Sequence, residues 1–153
     1  METARLVFEP DVPPLPEVGR VFAAYPRVEV QEDGPVQWHQ IVVFSAVDED
    51  DLGPHVYLRL SAHVRRDPGD YFSHWPPGLA PESAGAFSLD YRDQELAKRV
   101  VLELAGRYRF WIDTNNGELY TSEGFARRCA REPGWDWYAD APRPIPEVYR
   151  LVE

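Results

Sequence analysis

Cysteine and long apolar runs are nearly absent from this chain. Cys129 is the only cysteine among 153 residues, which excludes an internal disulfide and a cysteine-based structural zinc site. No apolar run approaches the roughly 20 residues that a membrane-spanning helix needs. The opening segment METARLVFEP has no cationic stretch followed by an apolar one, so it predicts no signal peptide. Together these features predict a soluble, cytoplasmic protein.

Positive charge is also scarce. The chain has 16 Lys and Arg residues against 26 Asp and Glu residues, a formal net charge of −10 at pH 7. Such a chain is repelled by nucleic-acid phosphates and by anionic lipid headgroups, so we expect neither nucleic acid nor a membrane as partner. A protein partner with a basic surface fits this charge better, because opposite charges steer the two molecules together.

The plentiful residues are those of a folded core. Hydrophobic residues make up 44% of the chain and aromatic residues 13%, which is ample for a core at this length. We therefore predict one globular domain over residues 1–153, with one irregular, Pro- and Gly-rich segment at 66–88. An irregular segment of this length within a compact domain is uncommon and is often functional.

Hydrophobic periodicity predicts an α+β fold. The stretch HVYLRLSAHVR at 55–65 alternates throughout, which is typical of a strand with one face in the core. Further strands are predicted at 4–9, 27–33, 36–47 (placed centrally in the sheet) and 108–113. Helices are predicted at 16–25, at 90–106 with Asp90 as N-cap, and after Thr121 or Ser122. These elements predict a mainly antiparallel β-sheet with two or three helices packed on one face.

The stretch WIDTNNGELYTSEGF at 111–125 combines oxygen-bearing side chains with a turn signal. A calcium loop of the EF-hand kind starting at Asp113 needs glycine at its sixth position and glutamate at its twelfth, where the chain has Glu118 and Gly124. Asn116 and Gly117, in contrast, predict a tight hairpin turn, because both residues tolerate positive φ. The stretch therefore predicts a hairpin and a capped helix rather than a cation site.

Candidates for metal binding or catalysis are few. His55 and His63 share a face of the predicted strand, but eight residues of strand separate them by roughly 27 Å, too far to bind one ion. Cys129 lies beside Phe125 on an amphipathic helix, where a buried and unreactive thiol is expected. The sequence has no G-x-S-x-G, phosphate-loop or zinc-peptidase motif. We predict no catalytic residue, no metal and no cofactor, and a protein that is not an enzyme.

Two groups of residues are predicted to contact a partner: the adjacent carboxylates Asp48, Glu49, Asp50 and Asp51, and the aromatic residues Tyr71, Phe72 and Trp75. The four carboxylates repel one another and should stand in water, either as a solvated loop or as an electrostatic contact for a basic partner. The aromatic residues lie in the 66–88 segment and would supply buried contact area.

Two features keep alternatives open. Trp135 and Trp137 alternate onto one side, where they either close the core or anchor a partner, and closing the core is favoured. The alternative function is a small enzyme or ligand-binding domain with a pocket between the polar face of the sheet and the 66–88 segment. The expected lining of that pocket is Arg59, His63, Tyr71 and His74.

The segment FWIDTNNGELYTSEGFARR, followed by EPGWDWY, resembles the C-terminal part of immunity proteins of bacterial polymorphic toxin systems. The likeness covers residues 108–138 and rests on the hairpin, on the helix that contains Phe125 and on the PGWDW ending. The resemblance implies a non-enzymatic inhibitor that binds and neutralises a cognate toxin domain. It carries no binding residues over to this chain, because the shared pattern marks the fold.

Overall fold

The computed structural model describes residues 2–35, 38–45, 55–61 and 72–153, with the backbone alone described for 55–61. In chain order the elements are β1 Glu2–Phe8, α1 Leu15–Val21, β2 Arg27–Gln31, β3 Gln40–Phe44, β4 His55–Ser61, β5 Gly85–Tyr91, α2 Gln94–Ala105, β6 Trp111–Asp113, β7 Glu118–Thr121, α3 Ser122–Arg131 and β8 Arg150–Val152. Within these residues, eight strands form one sheet in the order β2-β3-β4-β5-β1-β6-β7-β8. Neighbouring strands are antiparallel except β7 and β8, which are parallel. The predicted α+β class is confirmed.

The helices of the described residues pack on one face of the sheet. Their buried apolar residues join alternate strand residues in the larger of two hydrophobic clusters. Leu6, Ile41 and Leu89 are strand members of this cluster, Leu96 and Phe125 are helix members, and all five are fully buried. Burial of the apolar face of each helix against the sheet therefore supplies most of the core.

Trp135 and Trp137 close this cluster near its C-terminal end. Their side chains are 2% and 1% exposed and their ring centroids lie 5.8 Å apart, which confirms that both face one side and complete the core. The Trp135 ring packs on Phe125 at 5.6 Å, and the Trp137 ring stands nearly perpendicular to Tyr91 at 5.4 Å. Edge-to-face contacts of this kind stabilise the fold beyond the area that they bury.

A smaller cluster covers part of the opposite face. There, strand residues Val7, Ala86 and Leu119 pack against Phe72 and Trp75, and against Tyr149 in the segment that precedes β8. The segments that precede β5 and β8 therefore cover this face of the sheet, as the helices cover the other face. The sheet is covered on both sides at β1, β5 and β7.

The strand β5 departs from the sequence prediction. Residues 85–88 were expected in the irregular segment, but they belong to a strand that pairs with β4 on one side and β1 on the other. Gly85, Ala86 and Ser88 are weak strand formers, so hydrogen bonding to two neighbours, rather than intrinsic propensity, makes this a strand. A Cβ at Gly85 would lie 3.0 Å from the backbone nitrogen of Val12, so glycine allows that segment to cross the strand end.

The ends of other elements shift by a few residues. α1 begins at Leu15, one residue before the predicted start, and ends at Val21 rather than at Tyr25. The N-cap of α2 is Asp93 rather than Asp90, which lies in β5. β3 lies inside the sheet as predicted, although it is second from the edge rather than central. β4 confirms the strand at 55–61, while 62–65 lie outside the described residues. Thr121 caps α3 by accepting a hydrogen bond from the backbone N–H of Gly124 at 2.9 Å.

Candidate functional site

The predicted contact residues fall into two groups. Asp48, Glu49, Asp50 and Asp51 lie outside the described residues, and so does Tyr71. Their contact with a partner stays a prediction.

Phe72 and Trp75 are core residues. Their side chains are buried, and their rings meet at 4.7 Å in a nearly perpendicular arrangement. The Trp75 ring also packs on Trp111 at 5.6 Å, against the sheet face that the helices leave uncovered. Because the chain itself covers both rings, the prediction that they present a contact surface is corrected. Apolar strand residues on this face needed a cover, and these two rings supply it.

His74 joins the segment that follows residue 71 to the C-terminal segment. Its ring stacks on Tyr149 with a centroid distance of 5.2 Å and an interplanar angle of 12°. Its Nδ1 lies 2.9 Å from the carbonyl oxygen of Glu147, and its own carbonyl accepts a hydrogen bond from the Tyr149 N–H at 2.7 Å. Of the pocket lining expected around the 66–88 segment, His74 is the one residue whose side chain is described. It serves to attach the chain that leads into β8.

Asp113 lies next to this attachment and was not predicted as a site residue. It ends β6, is 3% exposed, and its Oδ1 accepts the N–H of Asn115 at 2.8 Å. Burial raises the pKa of Asp113, while the Asn115 N–H and then the charges of Arg5 and His74 lower it. A buried carboxyl with a raised pKa, within electrostatic range of an exposed histidine, is the described feature closest to a catalytic arrangement. A carboxylate at the end of a strand before a turn was its only signal in the sequence.

The hairpin between β6 and β7 is confirmed, but its turn differs in detail. The left-handed residues are Asn115, with φ of 60°, and Gly117, with φ of 91°, whereas Asn116 has an ordinary φ. Asparagine tolerates this region better than most residues, and the hydrogen bond from its N–H to Asp113 holds it there. The turn therefore presents the side chains of Asn115 and Asn116 from a fixed backbone.

A notch of about 310 Å³ lies beside this turn, and we name it the Tyr138 notch. Its lining consists of Glu2, Thr3, Tyr91, Asn115, Asn116 and Tyr138. The Tyr138 side chain is 49% exposed, in contrast to the neighbouring tryptophans. The sequence placed Tyr138 in the same aromatic run as Trp135 and Trp137, so its exposure was visible only in the structure.

A second cleft of about 370 Å³ lies between the end of β1 and the start of α3. Glu9, Arg109 and Glu123 line its polar side, and Arg109 Nε lies 3.7 Å from Glu123 Oε1. Both partners of that pair are largely exposed, so the pair is weak. The mixed charge of this cleft favours neither an anion nor a cation.

Glu118 is a buried carboxylate with a structural role. Its Oε2 accepts hydrogen bonds from Arg128 Nη1 at 3.1 Å and from the Tyr120 hydroxyl, and its Oε1 pairs with Arg150. The guanidinium of Arg128 also lies 4.3 Å from the Trp135 ring centroid. These contacts join β7, α3 and β8, and every polar atom of the carboxylate is engaged.

Neither known proteins nor metal-binding or membrane-spanning features of the described residues assign this chain to a class. Protein-family models, curated proteins and solved structures all give no match to this chain. In the described parts of the chain, no group of three or more His, Cys, Asp and Glu side chains is arranged to hold a metal ion. None of the helices described has the length and apolar character needed to cross a membrane.

Proposed function

We propose that this protein is a non-enzymatic immunity protein, which binds a cognate bacterial toxin domain and neutralises it. The observation that carries the proposal is the pairing of a net charge of −10 with large aromatic side chains left in solvent. Trp38 is 66% exposed and Tyr138 is 49% exposed. Tryptophan and tyrosine are the residue types most enriched among the dominant contacts of protein interfaces.

The exposed apolar surface extends beyond these two rings. Ile145 and Val148 are each about half exposed, in the segment that precedes β8. A Cβ at Gly117 would lie 3.3 Å from Ile145 Cγ2, so this segment lies against the turn that borders the Tyr138 notch. Exposed apolar residues next to a fixed polar turn are typical of a contact surface with a polar rim.

The partner is expected to be basic. Carboxylates act at long range by steering a cationic surface towards the binding face, while aromatic side chains act at short range by excluding water. The Asp48–Asp51 segment and the resemblance over residues 108–138 support the same proposal. We expect a gene that neighbours this one to encode the toxin.

Co-expression tests the proposal directly. The product of the neighbouring gene should arrest growth when expressed alone, should be neutralised by this protein, and should co-purify with it. A neighbour that is not toxic, or a toxic neighbour that is neither bound nor neutralised, would overturn the proposal.

A charge-neutralised variant tests the electrostatic part. Replacing Asp48, Glu49, Asp50 and Asp51 by Asn and Gln should leave the melting temperature unchanged and slow association about tenfold at low salt. The deficit should shrink as salt screens the charges. An association rate that stays unchanged at low salt would remove these residues from the contact.

The alternative, a small enzyme or ligand-binding domain, is favoured by the environment of Asp113. This alternative predicts that a small molecule protects the protein against unfolding and that Asp113→Asn abolishes the protection. A conformationally intact Asp113→Asn variant that still neutralises the toxin fully would set this alternative aside.

A further inference from the structure

We propose that the Tyr138 notch is a receptor for one arginine side chain of a protein partner. The inference deepens the proposed function, because it names the group on the partner and the place on this chain that holds it. Three features of the notch indicate this occupant: a carboxylate in the lining, an exposed aromatic ring among polar groups, and a backbone around both that hydrogen bonds hold in place.

Glu2 supplies the negative charge. Tyr91 lines the notch together with Glu2, and its hydroxyl accepts a hydrogen bond from the Trp137 indole N–H. Burial raises the pKa of Tyr91, so its hydroxyl keeps its proton and adds no second negative charge to the lining. The Glu2 carboxylate is therefore the charged group of the lining, and its oxygens accept hydrogen bonds from a donor that enters the notch.

Tyr138 supplies the aromatic wall. Asp136 fixes the backbone that carries it, because Asp136 Oδ1 accepts the N–H groups of Tyr138 at 2.9 Å and Ala139 at 3.1 Å. The Tyr138 ring already attracts a guanidinium within this chain, since Arg143 Cζ lies 5.7 Å from the ring centroid. Arg143 is not among the residues that line the notch. An aromatic ring half in solvent on a fixed turn is suited to stacking with a planar cation.

The amide groups of Asn115 and Asn116 complete the lining. Asn115 occupies a left-handed conformation that few residues other than glycine adopt, with its N–H held by Asp113. A backbone conformation of this kind persists where the surroundings enforce it, and it is enriched at binding sites. Amide oxygens also accept hydrogen bonds from a guanidinium, although more weakly than a carboxylate does.

The chemistry and size of the notch select the occupant. An anion is repelled by Glu2 and by Asp90, which accepts a hydrogen bond from the Thr3 hydroxyl of the lining at 2.9 Å. An apolar side chain would leave the Glu2 carboxylate desolvated and unpaired. The volume of about 310 Å³ is near the lower limit for ligand pockets and admits one side chain. Arginine combines the charge, the flat face and the forked donors that these walls require.

A peptide titration followed by nuclear magnetic resonance tests the assignment without a partner protein. The probe is an N-acetylated, C-amidated glycine–arginine–glycine tripeptide, and the matched probe carries citrulline, which keeps the shape but is neutral. The arginine probe should shift the amide signals of Asn115, Asn116 and Tyr138 in a saturable way, and the citrulline probe should not. Equal shifts with both probes, or no saturable shift, would overturn the proposal.

Three variants and two controls locate the binding. Glu2→Gln keeps the shape of the side chain and one oxygen acceptor but loses the charge, and should weaken binding of the arginine probe about tenfold. Tyr138→Ala should weaken it at least about threefold, while Tyr138→Phe keeps the ring and should bind normally. Glu9→Gln removes the same charge beyond the other end of β1, and Trp38→Ala removes an exposed ring on the β2–β3 connection. Both controls should bind as the wild type does, and equal losses in the controls would contradict the site.

Failure of this inference can be separated from failure of the proposed function. If the notch binds the arginine probe but the neighbouring gene product is neither bound nor neutralised, the notch stands and the immunity function fails. If toxin neutralisation is retained at full affinity by Glu2→Gln and Tyr138→Ala, the notch is not a toxin contact while the immunity function stands.

Discussion

Glu118 allows a sharp test of how the C-terminal strand is held. The carboxylate is 2% exposed and contacts two arginines of unequal exposure. The Arg128 side chain is 13% exposed, whereas that of Arg150 is 60% exposed. The two ion pairs share one anion but differ in solvation, so their contributions to stability should differ strongly.

The expected loss follows from that difference. Breaking a buried ion pair by removing one partner costs about 3–5 kcal/mol, because the remaining charge stays desolvated. Glutamine keeps an oxygen acceptor, so the loss of stability in Glu118→Gln should lie at the lower end of this range, at about 3 kcal/mol. For a chain of this size, that loss corresponds to a decrease of about 10 °C in melting temperature. Arg150→Ala removes the exposed partner and should cost less than about 1 kcal/mol.

Chemical denaturation, followed by circular dichroism and tryptophan fluorescence, measures both variants. Trp135 lies beside Arg128, so its fluorescence reports on the same region. A loss below about 1 kcal/mol for Glu118→Gln would refute the reasoning. Equal losses of unfolding free energy for Glu118→Gln and Arg150→Ala would also refute the reasoning, because burial would then not determine how much each ion pair stabilises the fold.

Three further substitutions test other parts of the structure. Burial raises the pKa of Asp113 in the folded protein above its value in the unfolded chain. The contribution of protonated Asp113 to the unfolding free energy is therefore fully present below the unfolded-state pKa, and it is lost as pH rises through the higher folded-state pKa. Asp113→Asn, which keeps an oxygen for the Asn115 N–H, should therefore gain stability over the wild type as pH rises, and a pH-independent difference in unfolding free energy would contradict this. Gly124→Ala places a methyl group 2.5 Å from the backbone carbon of Glu153, so it should destabilise the fold by about 1–3 kcal/mol and increase hydrogen exchange in β8. Leu89→Ala opens a cavity in the fully buried centre of the sheet and should cost about 2–5 kcal/mol in urea denaturation; a loss under about 1 kcal/mol would contradict its core position.

The strands and helices that sequence analysis located share one property. In β1 and α2 the apolar residues recur at the period of the element, so local pattern and tertiary burial agree. The strand β5 lacks this agreement, because its first residues are small and follow a Pro- and Gly-rich stretch. Pairing with β4 and β1 makes it a strand, and pairing partners distant in the chain leave no mark on local periodicity.

The aromatic residues show the same limit at the candidate sites. Phe72 and Trp75 have the composition of a contact surface, yet they fill the space over a sheet face that the helices leave uncovered. Tyr138 follows two core tryptophans and yet faces solvent. Whether an aromatic ring is buried depends on what packs over it, and the covering residues come from other parts of the chain.

The sequence by itself determined the α+β class, the hairpin before α3, a helix cap at Thr121 or Ser122 and the acidity, because each depends on residues a few positions apart or on composition alone. Only the tertiary structure decided that Asp113 comes within electrostatic range of His74, that Glu118 joins three elements, and that Glu2 and Tyr138 line one notch. Each of these groups is assembled from distant segments by strand order and core packing. Their chemistry depends on burial and separation, which a linear pattern does not contain.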